Sequence, residues 1–196
     1  HQPGTLAFDD RFLLDGLAKI CAEIARNGLK KIVLVNGHGG NSHLLPFFAQ
    51  MTLGETADYT VYIIGFEATC PPEAQALIEG GEGGHADEFE TSLVLASRPD
   101  LVKMERVDPR AGRTKKRLAD LEEARVYTPI WWYASYPDHI AGDPSPATAE
   151  KGRRILELGA ANLARVLRRI KEDRVTEELQ REFFARAERP VRNGGG

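Results

Sequence analysis

Sulfur is scarce in this chain: two cysteines and two methionines among 196 residues. Two thiols cannot build the bridged framework of a small secreted domain, so Cys21 and Cys70 are expected to be reduced, packed thiols of a cytoplasmic protein. Charge of one sign is also lacking, since 26 basic against 29 acidic side chains give a formal net charge of −3. Nothing in that balance recommends nucleic acid or an anionic membrane as partner. No apolar run approaches the ~20 residues that span a bilayer, and no signal-like apolar stretch is visible. The chain starts at His1 rather than Met, so a segment ahead of it is expected. What is there, 42% hydrophobic residues, suffices for one substantial core.

Periodicity outlines an α/β chain. Leu13, Leu17, Ile20 and Ile24 recur at helix spacing between Asp9 or Asp10, either of which can cap the start, and the stop at Asn27-Gly28. Ile32-Val33-Leu34-Val35 does not alternate with polar residues, as in a parallel strand covered on both faces. Leu44, Leu45, Phe48 and Met51 predict a second helix ending near Gly54, and Thr60–Ile64 a second strand, completing one βαβ unit. Pro71-Pro72 opens a short helical piece. A glycine-rich run from Gly80 to Gly84 precedes a helix marked by Phe89, Leu93 and Ala96. Residues 108–125 are polar and read as a surface excursion. The stretch around Trp131-Trp132-Tyr133, with its several prolines, reads as a long irregular segment carrying function. Ile155, Leu158, Leu163, Val166, Leu167 and Ile170 predict a long helix, and Phe183-Phe184 add a last turn or two. The glycine tail, Gly194–Gly196, is of low complexity.

Two glycine-led loops each carry a histidine. Asn36-Gly37-His38-Gly39-Gly40-Asn41 follows the first strand, at the sheet edge where α/β proteins gather ligands. Gly83-Gly84-His85-Ala86-Asp87-Glu88-Phe89-Glu90 opens the later helix and adds a carboxylate at the margin of its apolar face. On one helix His85 and Glu90 would point about 140° apart, so they converge only if His85 stands in the loop ahead of it. Imidazole and carboxylate suit zinc, manganese or iron, and an open coordination position makes bound water a nucleophile. The plainer alternatives are turn and capping roles for the histidines and a surface salt bridge for Glu90. His43 reads as a capping or surface group, and His139 as a surface-loop residue or a pocket lining. Trp131 and Trp132 read as packing, a wall over the site or a subunit contact. Arg165, Arg168, Arg169 and Lys171 form a solvated helix face. Cys21 and Cys70 have no nearby histidine–asparagine pattern of a nucleophile.

Pro3-Gly4-Thr5, the Asn36–Asn41 loop, His85 through Glu90-Thr91-Ser92, and Gly142-Asp143-Pro144 with Ala147-Thr148 and Lys151-Gly152 occur in that order in the creatininase (creatinine amidohydrolase) family, which the chain resembles from His1 to about Leu167. The resemblance implies a three-layer α/β/α sandwich with a mostly parallel sheet, over residues 1–175, followed by a helical tail over 176–196. It implies a metal-dependent amidohydrolase of the cytoplasm that acts on a small-molecule amide or cyclic amide and assembles as a homo-oligomer, a hexamer in the family. By the same resemblance His38 and Glu90 match metal ligands, and His85 the histidine that moves the proton during ring opening. Gly39 and Gly40 are assigned to substrate through their backbone amides, from loop geometry. The family's first metal motif, a Glu-x-His and a bridging Asp, is expected upstream of His1. Creatininases proper carry glutamate where this chain has Gly40, and Phe66 and Gly81 stand near the expected positions of the family's pocket tryptophans. Two rival readings stay open: a non-catalytic subunit of the same fold with an incomplete metal centre, and a phosphate- or nucleotide-binding module using the glycine loop. The missing Gly-x-x-x-x-Gly-Lys pattern weighs against the second.

Overall fold

The computed structural model describes residue 2, residues 4–81 and residues 83–188. Pro3 of the Pro-Gly-Thr segment, Glu82 of the glycine run and the Gly194–Gly196 tail lie outside the described residues. In chain order the elements are α1 (Asp10–Arg26), β1 (Lys31–Val35), α2 (Leu44–Met51), β2 (Thr60–Ile64), α3 (Pro72–Gln75), α4 (Glu88–Ser97), α5 (Ala119–Glu123), α6 (Trp131–Ser135), α7 (Ala149–Glu172) and α8 (Val175–Ala187), with short 3-10 turns between them. This is the α/β class with a parallel sheet that the sequence announced. The chain divides into two compact units, residues 1–66 with 164–196 and residues 67–163.

In the first unit β1 and β2 pair in parallel, from Lys31 opposite Thr60 to Val35 opposite Ile64, with α2 as the crossover. Asp9 starts α1 by accepting from the Arg11 and Phe12 N–H groups. The buried face of α1 is turned one residue from the expected stripe: Cys21 and Ala25 pack with Ile32 and Phe48, flanked by Leu14, Leu17 and Ile24. Leu13 and Ile20 are exposed. Both stripes share Leu17 and Ile24, and the small side chains of Cys21 and Ala25 let the helix lie close to the strand. The strand run is covered unevenly too, with Ile32 buried and Val35 exposed.

Polar anchors fix the rest of this unit. The Lys31 ammonium donates to the carbonyls of Ile170, Lys171 and Asp173, satisfying the end of α7 and offsetting its dipole. Asp173 accepts from the Tyr62 hydroxyl at 2.9 Å and from the Val175 and Thr176 N–H groups, which starts α8. The Thr176 and Tyr62 hydroxyls pull its carboxyl down to about 2. Gln180 accepts from the Thr60 hydroxyl and donates to the Tyr59 carbonyl. Phe183-Phe184 thus belong to a helix of 13 residues rather than to a stray turn.

In the second unit Cys70, Ala74, Phe89 and Ile155 form the core with Leu77, Ile78, Leu93 and Leu158. At Gly152 a Cβ would lie 1.9 Å from the Ser92 carbonyl oxygen, so only glycine lets α7 come this close to α4. The polar stretch 108–125 does more than run over the surface. Lys115 N–H donates to the Ser135 carbonyl, and Arg117 donates to the carbonyls of Tyr133 and Ala134. The Arg117 guanidinium also lies 5.1 Å over the Tyr133 ring. These groups close the end of α6, a short helix inside the segment expected to be irregular. Among the described residues no helix is long and apolar enough to cross a membrane.

Candidate functional site

The first histidine loop is organised by Asn36, buried at the end of β1. Its N–H continues the sheet by donating to the Ile64 carbonyl, and its Oδ1 accepts from the His38 N–H at 3.0 Å. The His38 ring then folds back over its own loop, and Nδ1 accepts from the Gly40 N–H at 3.1 Å. A Cβ at residue 40 would stand 2.8 Å from His38 Cε1, so this fold-back requires glycine there. With Nδ1 as acceptor, the neutral ring carries its proton on Nε2. Gly40 N–H, assigned from the sequence to substrate, is engaged by His38 in this arrangement. His43 is exposed at the N-cap position of α2.

The second loop belongs to the other unit and brings His85 and Glu90 together. His85 stands ahead of α4, where an antiparallel bridge to Ala141 fixes its backbone through two hydrogen bonds of 3.2 and 2.9 Å. Ala86 follows in the left-handed region, at φ 52°, and Asp87 caps α4 by accepting from the Glu90 N–H. The Glu90 carboxylate turns back over this corner. Its Oε2 accepts from the Ala86 N–H at 2.7 Å and lies 3.2 Å from His85 Nδ1. Carboxylate next to Nδ1 favours the tautomer with the proton on that atom, leaving the Nε2 lone pair as the outward acceptor. Two further rings crowd the imidazole: Trp132 at 6.2 Å and His139 at 5.9 Å between centroids, both edge-on. Sequence reasoning ranked a surface-loop role for His139 first and left Trp132 among several roles; the structure places both beside His85.

Sequence reasoning missed Glu88. Glu90 was expected at the margin of a buried face, yet its side chain is 41% exposed; the sealed carboxylate is Glu88, at 1%. Glu88 Oε2 accepts from the N–H groups of Glu79 and Gly80 at 2.7 and 2.6 Å, and its other oxygen meets the Lys151 ammonium. Lys151 also lies 2.9 Å from Glu79 Oε1 and donates to the Pro146 carbonyl. Burial pushes the Glu88 carboxyl up, but the bonds from Lys151, Gly80 and Glu79 outweigh it and hold the group below 4.5. The same bond to Glu88, then that to Glu79, lifts Lys151 above 10.5. Asp87 moves the other way, pushed up by burial. The available signal was Lys151 itself, the lysine of the Lys151-Gly152 motif.

Imidazole and carboxylate groups are of the kind that bind zinc or manganese. Of the two residues expected as metal ligands, Glu90 lies in this unit on a half-exposed corner and His38 in the other; His85 was expected to move the proton. Within either unit, no three His, Cys, Asp or Glu side chains among the described residues form a metal-holding group. Cys21 and Cys70 are buried, and burial pushes both thiols up, which makes them poor nucleophiles.

Comparison with known proteins adds an independent line. The family model described as "Creatininase: Creatinine amidohydrolase" matches residues 1–167. A creatinine amidohydrolase of Pseudomonas putida is 30% identical over 181 residues, 86% of this chain and 66% of that protein. A 3-dehydro-scyllo-inosose hydrolase of Thermotoga maritima is 27% identical over 87% of this chain and 60% of its own length. The chain therefore spans about two thirds of the first relative and less of the second. Among solved structures, a creatinine amidohydrolase (creatininase) aligns with TM-score 0.63 at 31% identity, covering 85% of this chain and 66% of the other. A protein from Bacteroides fragilis NCTC 9343 shares the fold with TM-score 0.74 at 23% identity, over 88% of this chain and 66% of that one. Other solved creatininases that align are described as Zn-Zn type and as Mn.

Proposed function

The chain belongs to the creatininase family, and from that premise we propose that it is a metal-dependent hydrolase of a C–N bond in a small amide or cyclic amide. The observation that carries this reading is the contact of His85 Nδ1 with Glu90 Oε2 at 3.2 Å, on a loop braced by Ala141. It leaves one imidazole lone pair presented and one carboxylate beside it.

By family resemblance His38, in the first unit, and Glu90, in the second, are each assigned as metal ligands, for a cation that would be zinc or manganese as in the solved relatives. That ion supplies the polarisation of the scissile carbonyl and the activation of a water. His85 does the proton work at Nε2: it accepts a proton as the carbonyl is attacked and returns it to the departing nitrogen. Glu90, across Nδ1, stabilises the ring while it carries the extra proton. Trp132 shields this corner from bulk water and offers an apolar wall to the substrate. The Gly39 amide is the loop donor for the substrate oxygen, joined by the Gly40 amide once His38 releases it. A homo-oligomer, hexameric as in the family, is the proposed assembly.

The test is metal analysis of the purified protein together with hydrolysis of creatinine, simple cyclic amides and short linear amides, measured as ring opening or amine release. The parent is expected to carry stoichiometric metal and to hydrolyse at least one of these. His85→Ala should abolish turnover with metal content intact, whereas Glu90→Gln should lower occupancy. A parent with no bound metal and no turnover on any amide overturns the hydrolase and leaves the non-catalytic subunit.

A further inference from the structure

We propose that His139 is a positioning residue for His85, and that its ring keeps the His85 imidazole aligned with Glu90. The inference rests on the hydrolase reading only for its kinetic consequence. His139 closes a tight turn, its N–H donating to the Tyr136 carbonyl at 3.1 Å, and it sits in the left-handed region at φ 60°. Glycine occupies that region without strain, and asparagine tolerates it better than most residues. A histidine there is costlier than glycine, though less rare than most side chains, which raises the question of what its ring contributes.

The ring's surroundings show what that is. It meets His85 edge-on at 5.9 Å and Trp132 at 6.3 Å, while Trp132 meets His85 at 6.2 Å. His85, Trp132 and His139 thus form a closed triangle of rings in which the His85 side chain is still 37% exposed. The bridge to Ala141 fixes only the His85 backbone. Rotation about the terminal torsion of histidine is broad and nearly two-fold, and half a turn would replace Nδ1 with a carbon opposite Glu90. One neighbouring ring leaves that rotation open on one side; two at an angle restrict it. The Trp132 ring also packs against Trp131 and Tyr136, and Arg117 and Lys115 close the backbone of α6 that carries it. His139 therefore supplies the second wall.

Three variants of the full chain separate backbone, ring and imidazole. His139→Gly frees the turn and removes the ring, His139→Asn keeps the left-handed preference without a ring, and His139→Phe keeps a ring without ring nitrogens. The readouts are the side-chain nitrogen and proton resonances of His85 by NMR at fixed pH, the melting temperature, and kcat and KM on an amide that the parent hydrolyses. In the parent and in His139→Phe, His85 should show a single tautomer with its proton on Nδ1. In the Gly and Asn variants the signals should average between tautomers, with kcat lower by about 10- to 100-fold and KM nearly unchanged. The melting temperature should not fall in His139→Gly. A single His85 tautomer retained in both ringless variants overturns the proposal, whatever the turnover. If the parent hydrolyses no amide but the tautomer shift still occurs, the hydrolase reading fails and the positioning role stands.

Discussion

Replacing Lys151 with methionine should destabilise the protein more than any surface change, and the reason is the carboxylate it leaves behind. Glu88 is 1% exposed, while the Lys151 side chain is 18% exposed. Without the ammonium, Glu88 keeps its two backbone donors from Glu79 and Gly80 and loses its counter-charge. Breaking a buried pair from one side costs about 3–5 kcal/mol. For a chain of this size roughly 2–4 °C of melting temperature follows each kcal/mol, so a fall of about 6–20 °C is expected. Glu88→Gln should cost less, about 1–3 kcal/mol, because Lys151 can still reach water and Glu79. The double variant should fall short of the sum by about 1–3 kcal/mol. Thermal melts by circular dichroism at a series of pH values complete the experiment. The folded Glu88 carboxyl lies below 4.5, so its contribution is present above that pH and is lost as pH falls through the depressed value. Lys151 lies above 10.5, so its contribution is complete below that pH and is lost as pH climbs through the raised value. The gap between parent and variants should be widest between those limits and close outside them. A Lys151→Met melting point within about 2 °C of the parent, or additive single changes, refutes the argument.

Gly152→Ala places a methyl 1.9 Å from the Ser92 carbonyl oxygen, so α7 and α4 must separate; a loss of about 1–3 kcal/mol in urea unfolding is expected. Phe48, 1% exposed between α1 and the sheet, should cost about 3–5 kcal/mol as Phe48→Ala, seen as a lower urea midpoint at an unchanged slope. Asp173→Asn removes a carboxyl held at about 2 by Thr176 and Tyr62. The parent should lose stability as pH falls from 3.8 towards 2, and the variant should lack that part of the acid limb; identical acid titrations would show that the carboxylate contributes nothing there.

The elements were legible wherever pattern and punctuation agreed. Asp9 and Asn27-Gly28 bracket α1, and the strands at 31–35 and 60–64 pair residue for residue. What misled was geometry that periodicity does not contain. Two adjacent stripes of α1 are both apolar, and only the small volumes of Cys21 and Ala25 decide which one meets β1. Within 108–125, largely exposed as expected, Arg117 serves carbonyls at the end of α6, a tertiary role that composition cannot separate from solvation. Around the candidate site, both histidines that glycines flank in the sequence stand outside the helices and strands. Helix position suggested that Glu90 was the carboxylate needing compensation, but the first turn of α4 buries Glu88 instead, because its counter-charge comes from Lys151, 63 residues away. Sequence reasoning ranked a surface-loop role for His139 first because its approach to His85 accompanies a bridge, His85 to Ala141, that joins distant loops.

The two loop histidines use the same atom in opposite senses. His38 Nδ1 accepts from Gly40, whereas His85 Nδ1 faces a carboxylate. His85 therefore presents its Nε2 lone pair without rearrangement, as a proton acceptor must. His38 does not: as bonded, its Nε2 carries the proton and its Nδ1 lone pair is occupied. To bind a cation through Nδ1 it must release the Gly40 N–H, and to bind through Nε2 it must change tautomer and lose the same bond. Either route subtracts a hydrogen bond worth about 1 kcal/mol, close to a five-fold loss in affinity, unless the substrate oxygen takes over the freed amide. In the proposed mechanism that exchange would couple the two events at one glycine: whatever draws His38 away from Gly40 would also expose the donor assigned to the substrate carbonyl. A side chain at position 40 would hold the imidazole off the loop from the start, so glycine there makes the self-bonded state possible and the coupling with it.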